Sequence, residues 1–150
     1  MAVIPDGLYK QCDARLRERW TAISRAQERL NEAKARAYTV SAAPTDSGGR
    51  HGGGTGDALE RKAISVQEAE EQLRQALAWD DVFWRLDRIF PPGTREGEAA
   101  RYLYTNGLNA ADSARAMGIS WKTIWDLRNN YIINCALLAV QEGLVTMDEE

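Results

Sequence analysis

Histidine is almost missing from this chain. His51 stands alone in a glycine-rich stretch, with no second imidazole for a metal site and no partners for a Ser/His/Asp relay. Cysteine is nearly as scarce. Cys12 and Cys135 lie far apart, lack CxxC or Cys/His spacing, and read as reduced packing residues. No GxxxxGK[ST] run is present, and the Gly-rich segment lacks the preceding strand that a nucleotide fingerprint needs. Paired carboxylates such as Asp80 and Asp81 sit in a charged helical pattern and read as solvated. These absences predict a protein that is not an enzyme and carries no metal and no cofactor. No apolar run approaches the roughly 18 residues of a membrane span. The opening MAVIPDGLYK lacks a basic stretch followed by an apolar block, so the expectation is a cytoplasmic protein without a membrane partner.

What is present is modest in size and unevenly charged. A chain of 150 residues, 44% apolar, holds one domain or a small domain with an appendage. Its net charge of −3 hides regional differences. Residues 1–43 carry eight Lys/Arg against five Asp/Glu, 44–94 six against nine, 95–131 five against four, and 132–150 none against four.

Between Asp6 and Tyr38 there is no proline and no glycine after Gly7, and Leu16, Ile23, Leu30 and Ala37 recur every seven residues. Cys12, Trp20, Ala26 and Ala33 widen this stripe, predicting one long amphipathic helix. A Gly-rich break follows at 41–56, where backbone entropy favours a flexible loop. Asp57 and Glu60 are spaced as a capping box for a second long helix reaching Phe90, with a stripe of Leu59, Val66, Ala69, Leu73, Ala76, Phe83, Leu86 and Phe90. The two helices are expected to fold back as an antiparallel hairpin or to meet a second copy of the chain. Pro91, Pro92 and Gly93 end the second helix, and Thr94 is the N-cap of the next, which Gly107 ends.

Asn109 to Asn130, NAADSARAMGISWKTIWDLRNN, carries the sharpest pattern. Ala114 is small where two helices joined by a short turn cross. Gly118 supplies a left-handed residue after the first helix, and Ser120 caps the second. With the helix before it, this makes a trihelical helix-turn-helix fold. At 100° per residue Ile124, Leu127 and Tyr131 face inward, leaving Lys122, Trp125, Asp126 and Asn129 outward, bordered by Trp121 and Thr123. These six are the expected base-reading residues of a recognition helix in a major groove. Arg101, Arg115, Ser120 and Arg128 are the expected phosphate contacts. The last helix shows no breaker until Gly143, and Ile132, Cys135, Leu138 and Ala139 on one side, with Ile133, Leu137 and Val140 on another, require burial. The nearly neutral charge of this segment predicts few phosphate contacts and a need for dimerisation or a partner.

The layout of long helix, Gly/Ser-rich loop and second long helix, followed by RYLYTNGLNAADSARAMGISWKTIWDLRNNYIINCALL, resembles the ArpU/RinA-type phage transcriptional regulators, themselves similar to sigma-factor region four. The recognisable motif runs from Arg101 to Leu138 and rests on Arg101-Tyr102, Gly107, Ala114, Gly118, Ser120 and Ala136-Leu137. Ser113 departs from it where an aliphatic residue is more usual, as do two tryptophans and an aspartate in the reading helix. The resemblance implies activation of late or packaging genes of a phage or prophage in the bacterial host cytoplasm, through promoter DNA or through host RNA polymerase.

The sequence therefore predicts an all-α protein. Residues 1–92 form a coiled-coil-like helical hairpin with its flexible loop at 41–56, and 93–150 form a helix-turn-helix domain with an extended last helix and an acidic tail. The expected partner is double-stranded DNA, read by a homo-oligomer with a dimer favoured. Two alternatives stand beside it: an interaction protein that binds RNA polymerase with little autonomous DNA binding, and a small DNA-packaging (terminase) subunit.

Overall fold

The computed structural model describes residues 4–42 and 52–147, and the side chains of all of these except 39–42 and 52–64. The expected all-α class is the one adopted. The described elements are α1 (Asp6–Arg17), α2 (Ala22–Ala42), α3 (Gly52–Ile89), α4 (Arg95–Ala100) continuing as a π-helical turn at Arg101–Thr105, α5 (Ala110–Met117) and α6 (Trp121–Gln141). They form two compact units, one from residues 21–77 and the other from 1–20 together with 78–150.

This division corrects the expected boundary at residue 92. The single helix expected from Asp6 to Tyr38 is interrupted at residues 18–21, although no proline or glycine stands there. Tertiary bonds override the local helical pattern. The guanidinium of Arg19 turns inward to donate to both oxygens of Asp87, at 3.2 and 2.6 Å, and Trp20 Nε1 donates to Thr105 Oγ1 at 3.1 Å. Trp20, expected within the apolar stripe, is consequently half-exposed.

In the unit of residues 21–77, α2 meets the first part of α3 through Leu30, Ala33 and Ala69, flanked by Val66 and Leu73, as the stripes predict. Arg29 donates to Gln72 across the pair at 3.4 Å. The Gly-rich segment is shorter than expected on both sides, with α2 reaching Ala42 and α3 starting at Gly52. Asp57 thus lies inside α3 rather than at its N-cap, because extending a formed helix adds one hydrogen bond per residue and glycine only weakens it. The capping partner Glu60 falls where side chains are not described, and residues 43–51, with His51, and the tail 148–150 lie outside the described residues.

The other unit is built around α6. Its Ile132, Cys135, Ala136 and Ala139 pack with Leu8, Cys12 and Leu16 of α1 and with Trp79, Val82, Phe83 and Leu86 of α3. Each large aliphatic side chain buried here is worth about 1.5–3 kcal/mol. Trp79 and Val82 fall outside the predicted stripe because the buried face of α3 shifts once the helix enters this core. The expected double-sided burial of α6 is met on one side and in part on the other, where Ile133 and Val140 are half-buried, Val140 against this core, and Leu137 stays exposed. A smaller cluster of Ala99, Ala114, Ile124 and Leu127 closes the helix-turn-helix.

Thr94 and Ser120 cap their helices as the sequence predicts, and Asn109 adds a further cap. Thr94 Oγ1 accepts from Gly97 N at 3.1 Å, Asn109 Oδ1 from Asp112 N at 2.7 Å, and Ser120 Oγ from Thr123 N at 3.0 Å. Gly118 has φ 68°, while Ile119 N donates to Ala114 O and Gly118 N to Arg115 O, the paired bonds of a Schellman end. Gly97 answers a different constraint. A methyl group there would sit 2.6 Å from Phe90 O and 2.7 Å from Pro91 O.

Two substitutions separate these constraints. Gly118→Ala meets no neighbour within 4 Å and suffers only the left-handed backbone, so it should destabilise by about 1–2 kcal/mol. Gly97→Ala must displace backbone and should cost about 1–3 kcal/mol. Urea denaturation checks both, and a loss below about 0.3 kcal/mol in either variant would contradict the corresponding constraint.

Candidate nucleic-acid interface

The exposed tip of the helix-turn-helix is made by two local devices. The left-handed Gly118 ends α5, and the Ser120 cap starts α6 within two residues, so the free N–H groups of the first turn of α6 point outward at the turn. Behind them Ile124 and Leu127 are buried against Ala99 and Ala114, which fixes the rotation of α6 about its axis. That rotation leaves Trp121, Lys122 and Asp126 exposed. Thr123 is half-buried, with its hydroxyl 2.8 Å from Ser120 Oγ.

The ten sequence-predicted residues separate into two groups. Trp121, Lys122, Asp126, Ser120, Arg115 and Arg101 are exposed, and Thr123 borders them. Lys122 Nζ lies 3.8 Å from Asp126, and Arg115 is 3.0 Å from Asp112; both pairs are open to water and hold their cations only weakly. Arg101 lies over the ring of Tyr102 at 5.8 Å.

Trp125, Arg128 and Asn129 are corrections, because all three are engaged by protein. Trp125 is half-buried beside the Ala99–Ala114 cluster, meets Trp121 edge-on at 5.3 Å and carries Arg128 over its face at 4.7 Å. Arg128 Nη2 donates to Asp13 at 3.1 Å, and both side chains of that pair are largely removed from solvent. Asn129 Oδ1 accepts from the Tyr9 hydroxyl at 2.5 Å. The helical wheel places Trp125 and Asn129 outward; Asn129, like the expected phosphate contact Arg128, is instead bonded to α1, more than 100 residues away in sequence, while Trp125 is covered by Trp121, Arg128 and the small cluster.

Asp13 is the centre of this arrangement. It accepts from Tyr104 Oη at 2.7 Å, Arg17 Nε at 3.0 Å and Arg128 Nη2 at 3.1 Å. Burial pushes its carboxyl up, but the hydrogen bonds from Tyr104 and Arg17 and the charge of Arg128 outweigh burial and hold it below the usual 3.8. Tyr104 moves the opposite way, raised by burial and then by Asp13. Sequence reading missed Tyr9, Asp13 and Tyr104 as positioning residues, since a tyrosine or aspartate on a helix carries no signal of its own.

Ser113 is fully buried and its hydroxyl has no hydrogen-bond partner. Among the described residues no cluster of His, Cys, Asp or Glu is arranged to hold a metal ion, and no described helix is long and apolar enough to cross a membrane. Comparison with family models, curated proteins and solved structures finds no match to this chain.

The depressed carboxyl of Asp13 makes a signed prediction. A group whose folded pKa lies below its unfolded value stabilises above the unfolded value, and the stabilisation fades as pH falls through the folded one. Asp13→Asn should therefore be clearly less stable than the parent at pH 7, and the gap should narrow as pH is lowered below about 3.8. Urea titrations at pH 7, 5, 4 and 3 measure this; a gap that stays constant across the series would rule out the assigned role.

Proposed function

We propose that this chain is a non-enzymatic DNA-binding transcriptional regulator. The first turns of α6 enter a major groove, and α4 and α5 brace them. The observation that carries this reading is the capped, left-handed turn that leaves Trp121, Lys122 and Thr123 at the accessible start of a helix whose later turns are held by the core. Recognition helices touch base edges with their N-terminal residues. In this reading Lys122 donates to guanine, Thr123 contacts a thymine methyl or a phosphate, and Arg101 and Arg115 neutralise the backbone. With few free cations the module binds as a dimer, and the resemblance to phage regulators makes promoters of late or packaging genes the proposed targets.

A second reading is favoured by one observation. The exposed tip is electrically balanced by Lys122 with Asp126 and carries the exposed Trp121, a composition suited to a protein surface such as that of RNA polymerase.

Gel-shift titration against DNA upstream of the chain's own gene and against a genomic fragment library tests the first reading. Affinity should fall with log salt at a slope of about −2.7 to −4.5, for about three to five phosphates. Lys122→Ala should lose about 5- to 100-fold in specific over non-specific binding. Asn129→Ala should leave base preference unchanged. No binding to any fragment at about 50 mM salt removes this reading. Retention of a polymerase subunit by a Lys122→Ala, Arg115→Ala double variant supports the second.

A further inference from the structure

The unit of residues 1–20 and 78–150 contains a pocket of about 490 Å³ that the helix-turn-helix reading does not use. It lies between the end of α1, the end of α3, the turn at Pro92 and Gly93, and the π-helical turn. Its size falls in the range of small-molecule sites, roughly 300–1,000 Å³.

Three features mark it as built. At its wall the Arg19 side chain is 6% exposed, donates to both oxygens of Asp87 and keeps an Nε without a hydrogen-bond partner. The guanidinium lies 4.3 Å from the ring centroid of Trp20 and 5.4 Å from that of Trp84. Both indoles are about half-exposed, at 54% and 52%, yet each is tethered, Trp20 Nε1 to Thr105 and Trp84 Nε1 to Asp80. The π-helical turn supplies Arg101, Tyr104 and Thr105 to the lining, and the π register closes with Asn106 N donating to Arg101 O at 2.8 Å. Isolated π turns are rare and concentrate at functional sites.

The geometry points to a binding site for a planar, uncharged aromatic small molecule of one or two fused rings. Planarity follows from the two tethered indoles: Arg19 lies over each ring, and the exposed remainder of each offers stacking area without further ordering. Neutrality follows from the buried charge at the wall, since Arg19 is already matched by Asp87. A ligand of either sign would leave one of these groups uncompensated.

Two-dimensional NMR of the full chain, following the indole N–H signals of its five tryptophans, tests this with 2-naphthol as probe and its fully saturated analogue as control. Saturable shifts are expected at Trp20 and Trp84 but not at Trp121, with half-saturation below about 1 mM. The saturated analogue should bind at least about tenfold more weakly. Trp84→Ala, which removes a half-exposed wall, should weaken 2-naphthol at least about tenfold, and Thr105→Trp, which adds bulk at an exposed lining position and removes the Trp20 tether, should do the same. Absence of shifts to the solubility limit, shifts confined to other tryptophans, equal binding of the saturated analogue, or full binding by Thr105→Trp would each overturn the proposal.

Discussion

The carboxylate of Asp13 is the point on which the helix-turn-helix unit depends. It is a largely buried anion on α1 that draws three donors, Tyr104 from the π-helical turn, Arg128 from α6 and Arg17 from its own helix. Placing charge in a low-dielectric site is expensive unless hydrogen bonds complete it. Here they do, and the result joins α1, the π turn and α6 at defined positions. An apolar side chain would fill the space without specifying the rotation of α6, whereas the Arg128 and Tyr104 bonds have direction. Tyr9, one helical turn before Asp13, adds a second directional bond to Asn129.

This constraint divides α6 along its length. The first turns, from the Ser120 cap to Asp126, are set by the Gly118 turn and the small Ala99–Ala114 cluster and retain exposed side chains. From Tyr131 onward the helix belongs to the core shared with α1 and α3. A helix of this length without α1 would leave Ile132, Cys135 and Ala136 uncovered. The same device that anchors the helix therefore bonds Arg128 and Asn129 to α1.

Local rules were legible in the sequence and long-range ones were not. The caps at Thr94 and Ser120, the left-handed Gly118 and the inward Ile124 and Leu127 follow from side-chain chemistry and helical period, and the structure contains them all. The pairing of Leu30 and Ala33 with Ala69 was equally readable, because a stripe seven residues apart must meet another. What failed was the assumption that one unbroken stripe means one helix. The break at residues 18–21 is made by Asp87 and Thr105, which lie 68 and 85 residues away. The wheel projection of Asn129 failed for the same reason, since it assumes that the unpatterned side of a helix faces water.

The central claim is that α1 confines the surface proposed to meet DNA to the first turns of α6. Site-specific photocrosslinking measures it directly, with a photoreactive side chain placed in turn at positions 122, 126 and 129 and the protein irradiated on bound DNA. The account predicts DNA adducts from positions 122 and 126 and background from 129. Adducts from 129 equal to those from 122, or none from 122 while DNA remains bound, would contradict it.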